Sequence, residues 1–211
     1  MTYQKIQGPF KRHVDGPDRN KVIPWMWACH EFQLLADVPW TWTEKVDGTN
    51  IRVIWDGHKP VFGGRTDNAQ IPAKLVQYLT STFTEELLEQ NFGGQPVTLY
   101  GEGYGAGIQS GGLYRPDQAF ILFDVRISDW WLRPMDVAMI AGDLGIQSVP
   151  DFGDVPLTEM IRQVAVKKLE SELAEGVDAE GLVGTCGGLL DRSGTRIIVK
   201  LKTKDLFGVR L

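Results

Sequence analysis

Cysteine is scarce: the 211-residue chain holds two, Cys29 and Cys186, and neither belongs to a Cys-x-x-Cys pair. That argues against a disulfide scaffold or a structural zinc, and the lone thiols read as small buried hydrophobes. His30 follows Cys29, but neighbouring side chains of an extended chain point apart, so the pair makes no metal site. No apolar run approaches the length of a bilayer span, and the opening MTYQKIQGPFKRHVDGPDRN lacks the apolar middle of a secretory signal. A cytoplasmic protein with no membrane partner is expected. The Gly-x-x-x-x-Gly-Lys phosphate loop is missing altogether. The glycine-rich run 101–112 lacks the spacing of a dinucleotide fingerprint and reads as a flexible loop. Positive charge is not in excess either. A net charge of −5 excludes a surface coated with cations for nonspecific nucleic-acid binding. It leaves room for local clusters, Lys11, Arg12, Arg19 and Lys21 near the start and Lys200, Lys202, Lys204 and Arg210 near the end.

What is present is ordinary for a globular chain: 43% hydrophobic and 23% charged residues, enough to build one core. Segments rich in β-branched and aromatic residues predict strands at 40–45, 51–55, 61–63, 97–100, 119–127, 181–185 and 195–201. Asp56-Gly57-His58-Lys59 reads as a hairpin turn. Ile71, Leu75, Leu79, Phe83 and Leu87 recur every four residues and predict one helix. Further helices are expected over 134–144, with Pro134 in the first turn, and over 158–174. Strands, helix, strands, helices, strands is the order of an α+β domain with mainly antiparallel sheets, here one domain over 1–211. The seven tryptophans are expected mostly in the core, with one or two left to stack on unpaired bases.

The sharpest local pattern is Glu44-Lys45-Val46-Asp47-Gly48-Thr49-Asn50, between two predicted strands. An ordinary hairpin with an exposed lysine is the plain alternative. Yet Lys-x-Asp-Gly-x-Asn fixes four positions, and at about 5% usage each, chance produces it in about one chain per thousand of this length. Lysine is a poor nucleophile until it loses its proton, so a lysine held at a pocket floor by a tight Asp-Gly turn invites a chemical reading.

This segment resembles motif I of the covalent nucleotidyltransferases: DNA ligases, RNA ligases and mRNA capping enzymes. Others follow in the family's order. Arg65 in Gly63-Gly64-Arg65-Thr66 resembles the arginine after motif I, and Tyr100-Gly101-Glu102-Gly103 resembles motif III. Phe120–Arg126, FILFDVR, is similar to motif IIIa, Glu180-Gly181-Leu182-Val183 to motif IV, and Lys200-Leu201-Lys202 to motif V. The shared order carries more weight than any one motif.

The resemblance implies an ATP-grasp-like ligase core that binds ATP and a divalent cation, Mg²⁺ or alternatively Mn²⁺. Lys45 would attack ATP and carry AMP as a phosphoramidate, with Lys200 and Lys202 stabilising the phosphate. Those two lysines alternate on a strand and so share a face. Glu180 would bind the metal through oxygen. Glu44 and the backbone at Val46 would read the adenine edge, Asn50 and Arg65 would contact phosphate, and Glu102 would accept from the ribose hydroxyls. Phe123 would stack on adenine, with Phe120 the competing candidate. The chain ends nine residues after Lys202, with no room for the OB-fold that DNA ligases and capping enzymes carry after motif V, and the GGRTDN segment at 63–68 and the aromatic-rich approach to motif I look more like an RNA ligase of the nick-sealing type. It would join 3′-hydroxyl and 5′-phosphate RNA ends or a nicked duplex. A minimal ATP-dependent DNA ligase, a GTP-dependent capping activity and a non-catalytic nucleic-acid-binding module are the alternatives.

Overall fold

A computed structural model describes residues 3–211. The chain begins with strands β1 (Phe10–Arg12) and β2 (Val22–Trp27), helix α1 (His30–Leu34) and β3 (Pro39–Lys45). Next come β4 (Thr49–Trp55), β5 (Pro60–Gly64), α2 (Ala73–Thr82), α3 (Glu85–Phe92), β6 (Val97–Tyr104), β7 (Ala119–Ile127), β8 (Trp130–Trp131), α4 (Pro134–Asp143) and β9 (Gln147–Ser148). The remainder is β10 (Asp151–Pro156), α5 (Leu157–Val166), β11 (Gly181–Leu190), β12 (Arg196–Lys202) and α6 (Thr203–Leu206). The fold is α+β with mainly antiparallel sheets, as the order of periodicities predicts. Among the described residues no helix is long and apolar enough to cross a membrane. The chain groups into two compact units: Val46–Val149 with residues 3–4, and Lys5–Lys45 with Pro150–Leu211.

In the first unit, β5-β4-β6-β7-β8 form an antiparallel sheet, and β9 joins β7 in parallel. Ile51, Val53 and Trp55 alternate along β4 onto one face, where Leu99, Leu122 and Val125 join them. Leu75, Leu79, Phe83 and Leu88 and, from α4, Val137 and Ala141 cover that face. The Asp56 carboxylate closes the β4–β5 hairpin by accepting the N–H groups of His58 and Lys59, both at 2.9 Å, with Gly57 at φ 94°. The stripe from Ile71 to Leu87 is two helices rather than one. The chain leaves the helix at Phe83, and the Thr84 hydroxyl caps α3 by accepting the Leu87 N–H at 3.2 Å. Thr80, Ser81, Thr82 and Thr84 compete locally for backbone groups, which weakens a continuous helix there.

In the second unit, β10-β3-β11-β12 form an antiparallel sheet, and β1 pairs with β2. Trp40 and Trp42 of β3, with Leu182, Val199 and Leu201, pack against Leu157, Met160, Ile161 and Val164 of α5. The helix expected over 158–174 stops at Val166, and Lys167 is extended at φ −137°, ψ 131°. Beyond it Ser171 and Glu172 bond to a side chain of β3, a tertiary demand that sequence periodicity does not carry. Strands β2 and β10 were not expected. Pro24, Gly153 and Pro156 disguise them, and β10 is an edge strand, where proline is tolerated.

Candidate active site

Strand register brings the motif I and motif V lysines together within the second unit. Gly181 of β11 lies opposite Lys45 on one side and Lys202 on the other, so the three form a row across the sheet. The next row on the same face is Thr43, Val183 and Lys200. A Cβ on Gly181 would come within 1.9 Å of the Leu201 carbonyl oxygen, so the position next to Glu180 is closed to any larger residue. Glu180 itself bridges the row. Its Oε2 accepts from Lys45 Nζ at 2.5 Å and its Oε1 from Lys202 Nζ at 2.6 Å. All three side chains are only 15–24% exposed, which makes these ion pairs less screened than surface ones. Lys200 is half-buried, and burial first, then the charges of Lys202 and Lys45, hold its ammonium below the usual lysine range.

A residue that sequence reasoning missed holds Glu180 in place. The Thr203 N–H donates to the Glu180 carbonyl at 2.9 Å, and the Thr203 hydroxyl donates to the Ala179 carbonyl, also at 2.9 Å. The contact links the residue after motif V to the residue that opens motif IV, and nothing local in the sequence signals it.

Glu44 takes the opposite face of β3 from Lys45, in line with Trp40 and Trp42, and is 2% exposed. Ser171 donates its hydroxyl to one carboxylate oxygen at 2.5 Å, and the Glu172 N–H donates to the other at 3.0 Å. Burial nonetheless raises the Glu44 carboxyl above its ordinary range.

The remaining candidates, Val46, Asn50, Arg65, Glu102 and Phe123, lie in the first unit. Asn50 and Glu102 are directly opposed on β4 and β6, on the sheet face away from the helices. The Asn50 Oδ1 is buried with no hydrogen-bond partner among the described residues. Gly48 does not use a left-handed φ. Its requirement is space, since a Cβ there would lie 2.3 Å from the Gly103 carbonyl oxygen and 2.9 Å from Glu102 Cγ. Asp47 accepts the Ser110 N–H at 3.3 Å.

Phe120 and Phe123 separate clearly. Phe120 is 1% exposed, packs edge-on against Phe83 at 5.3 Å and fills the space above Gly101. Phe123 sits at a β-bulge between β6 and β7 and, half-buried, meets Tyr3 edge-on at 5.2 Å. The glycine run expected as a flexible loop is partly strand. Gly101 and Gly103 belong to β6, and a Cβ on Gly101 would lie 2.2 Å from the Phe120 ring. Only the later part is a loop, and it carries a short 3-10 turn over Gly111–Leu113. Of the tryptophans, Trp40, Trp42 and Trp55 are buried and Trp130 is exposed.

Solved structures of a Naegleria gruberi RNA ligase share this fold. A variant without ligand superposes with a TM-score of 0.65 at 22% identity, over 83% of this chain and 52% of that one. A variant with AMP and Mn gives 0.65 at 21%, over 82% and 52%. A third, with ATP and Mn, gives 0.65 at 19%, over 97% and 63%. The chain thus spans about half to three-fifths of the length of the structures it matches. No curated protein matches it. The model of the RNA ligase family matches residues 38–202, from the start of β3 to the second motif V lysine. The chain belongs to the RNA ligase family.

Proposed function

We propose that this chain is the adenylation domain of an ATP-dependent RNA ligase that joins 3′-hydroxyl and 5′-phosphate ends, of the nick-sealing type, in RNA repair. The observation that carries the reading is the Lys45–Glu180–Lys202 cluster with Lys200 beside it: a lysine on a sheet row surrounded by the charges a phosphate reaction needs. The Naegleria ligase structures with AMP or ATP and Mn support nucleotide and metal as ligands of the fold.

In the first step the Lys45 amine attacks the α-phosphorus of ATP. A P–N bond forms, the P–O bond to pyrophosphate breaks, and its electron pair leaves with pyrophosphate. Attack requires that the Lys45–Glu180 pair open and that the ammonium give up its proton. Lys200 and Lys202 meet the charge growing on the phosphate oxygens. AMP then passes to an RNA 5′-phosphate, and a 3′-hydroxyl displaces it as the strand closes. Glu44 and the Val46 backbone read the adenine edge, Phe123 stacks on the base, and Glu102 accepts from the ribose. Asn50, whose buried oxygen lacks a partner among the described residues, contacts phosphate or the attacking end, and Arg65 contacts phosphate.

Among the described residues there is no group of three or more His, Cys, Asp or Glu that would cage a metal. A single carboxylate fits Mg²⁺ or Mn²⁺ bound through Glu180, substrate phosphate oxygens and water. Such a cation supplies charge neutralisation at the phosphates. The test is a pair of nicked duplexes that differ only in ribose or deoxyribose at the nick's 3′ end. An RNA ligase seals the ribose nick and is slow on the other, and equal or reversed rates favour a DNA ligase.

A further inference from the structure

Arg52 is not part of any motif, yet it is among the most buried charged side chains in the chain, 1% exposed, on the same sheet face as Asn50. A guanidinium is always charged, so burying one is costly unless its donors are satisfied. Arg52 directs two of them at one short segment. Its Nε donates to the Gly64 carbonyl at 2.7 Å, and its Nη2 donates to the Asp67 carboxylate at 2.8 Å. It lies against Gly63, where a Cβ would come within 2.9 Å of Nη2. Gly64 is equally closed, because a Cβ there would lie 2.6 Å from the Ala69 Cβ. The Ala69 N–H donates to the Thr66 carbonyl at 3.1 Å and closes the segment as a turn.

The residue bracketed by these contacts is Arg65. It is exposed, and among the described residues it makes no hydrogen bond, ion pair or ring contact. The segment is braced one residue before it and two residues after it while its own side chain is left available. A loop that holds one cation out in this way reduces the freedom lost when that cation meets an anion.

We infer that Arg52 is a positioning residue that acts through the Gly64–Asp67 turn to present Arg65 to a phosphate of the nucleotide or RNA. The inference rests on the function proposed above for the ligand, and on geometry alone for the brace. Two changes probe it, one at the exposed end of the pair and one at the buried end. Asp67→Asn removes the exposed half of the pair, whose side chain is 85% exposed. Arg52→Lys keeps the charge but cannot hold both partners.

Rates of lysyl-AMP formation are measured against ATP concentration for the wild type, Asp67→Asn, Arg65→Ala and the double variant. Asp67→Asn slows the reaction about tenfold, in the same kcat or KM sense as Arg65→Ala, and adds less than about twofold once Arg65 is gone. Independent, multiplying effects overturn the inference. Trypsin supplies a readout that needs no activity, because it cleaves after Arg65. Asp67→Asn speeds cleavage at that bond about tenfold with unchanged melting temperature, and Arg52→Lys speeds it more than cleavage elsewhere in the chain while lowering the melting temperature. Unchanged cleavage overturns the brace. A wild type that forms no adduct while the cleavage rates shift refutes the ligase reading and leaves the brace standing.

Discussion

Lys45 Nζ lies 2.5 Å from Glu180 Oε2, so the proposed nucleophile is held in an ion pair by the residue proposed to take the metal. The arrangement has a simple electrostatic logic. Lys45 and Lys202 are brought into one row by strand register, and a single carboxylate between them offsets their repulsion.

Removing that carboxylate separates structure from chemistry. Glu180→Ala leaves Lys45 and Lys202 facing each other across Gly181, partly exposed to water. It lowers stability by about 1–3 kcal/mol, because the two lysines lose the carboxylate that offsets their repulsion, and their partial exposure keeps the loss below that of a fully buried pair. Adduct formation falls by about a hundredfold or more. Thermal melts and a labelled-AMP assay on one preparation check both. Chelation of divalent cations with EDTA abolishes the adduct in the wild type, and Mg²⁺ or Mn²⁺ restores it.

Asn50 shows the opposite balance. Its Oδ1 is buried without a partner among the described residues, a cost of about 1–3 kcal/mol for an unmet acceptor. Asn50→Ala therefore keeps stability within about 1 kcal/mol of the wild type or raises it. It reduces adduct formation or sealing about tenfold or more. A large loss of stability would show that the oxygen has a structural partner.

Glu44 gives a pH dependence. Burial makes the folded carboxyl hold its proton more tightly than the unfolded chain does. Stability from that group is fully present below the unfolded carboxyl range and is lost as pH rises through the folded value. Melting curves from about pH 4.5 to pH 8 will show the wild type losing stability relative to Glu44→Gln as pH rises. Parallel curves would contradict the burial argument.

Gly101→Ala tests why motif III is rich in glycine. The new methyl would meet the Phe120 ring and the Ile121 carbonyl oxygen inside a packed core. A loss of about 1–3 kcal/mol is expected from overpacking. A flexible loop at this position would tolerate the change.

Much of this molecule could be read in advance, and the failures share a cause. The strands that carry Lys45, Lys200 and Lys202 show β-branched and aromatic alternation, and motif order marked their charged residues, whereas Glu102 fell in a run read as a loop and lies on β6. The break between α2 and α3 escaped because Leu75, Leu79 and Phe83 keep one period into a shared core while the backbone turns. Helix α5 ends early because Ser171 must reach Glu44, a partner 127 positions away. The Thr203 hold on Glu180 and the Arg52 brace are likewise contacts between distant residues, invisible to periodicity. Gly48 and Gly101 were read as turn or loop glycines, whereas both answer to the close approach of another strand or ring. In each case a tertiary contact outweighed the local signal.

The most direct test of the central claim is the mass of the intact protein after incubation with ATP and Mg²⁺, for the wild type and Lys45→Ala side by side. The account predicts a gain of one AMP, on the peptide containing Lys45, and none in the folded variant. No gain in the wild type, or a gain that survives the loss of Lys45, would contradict it.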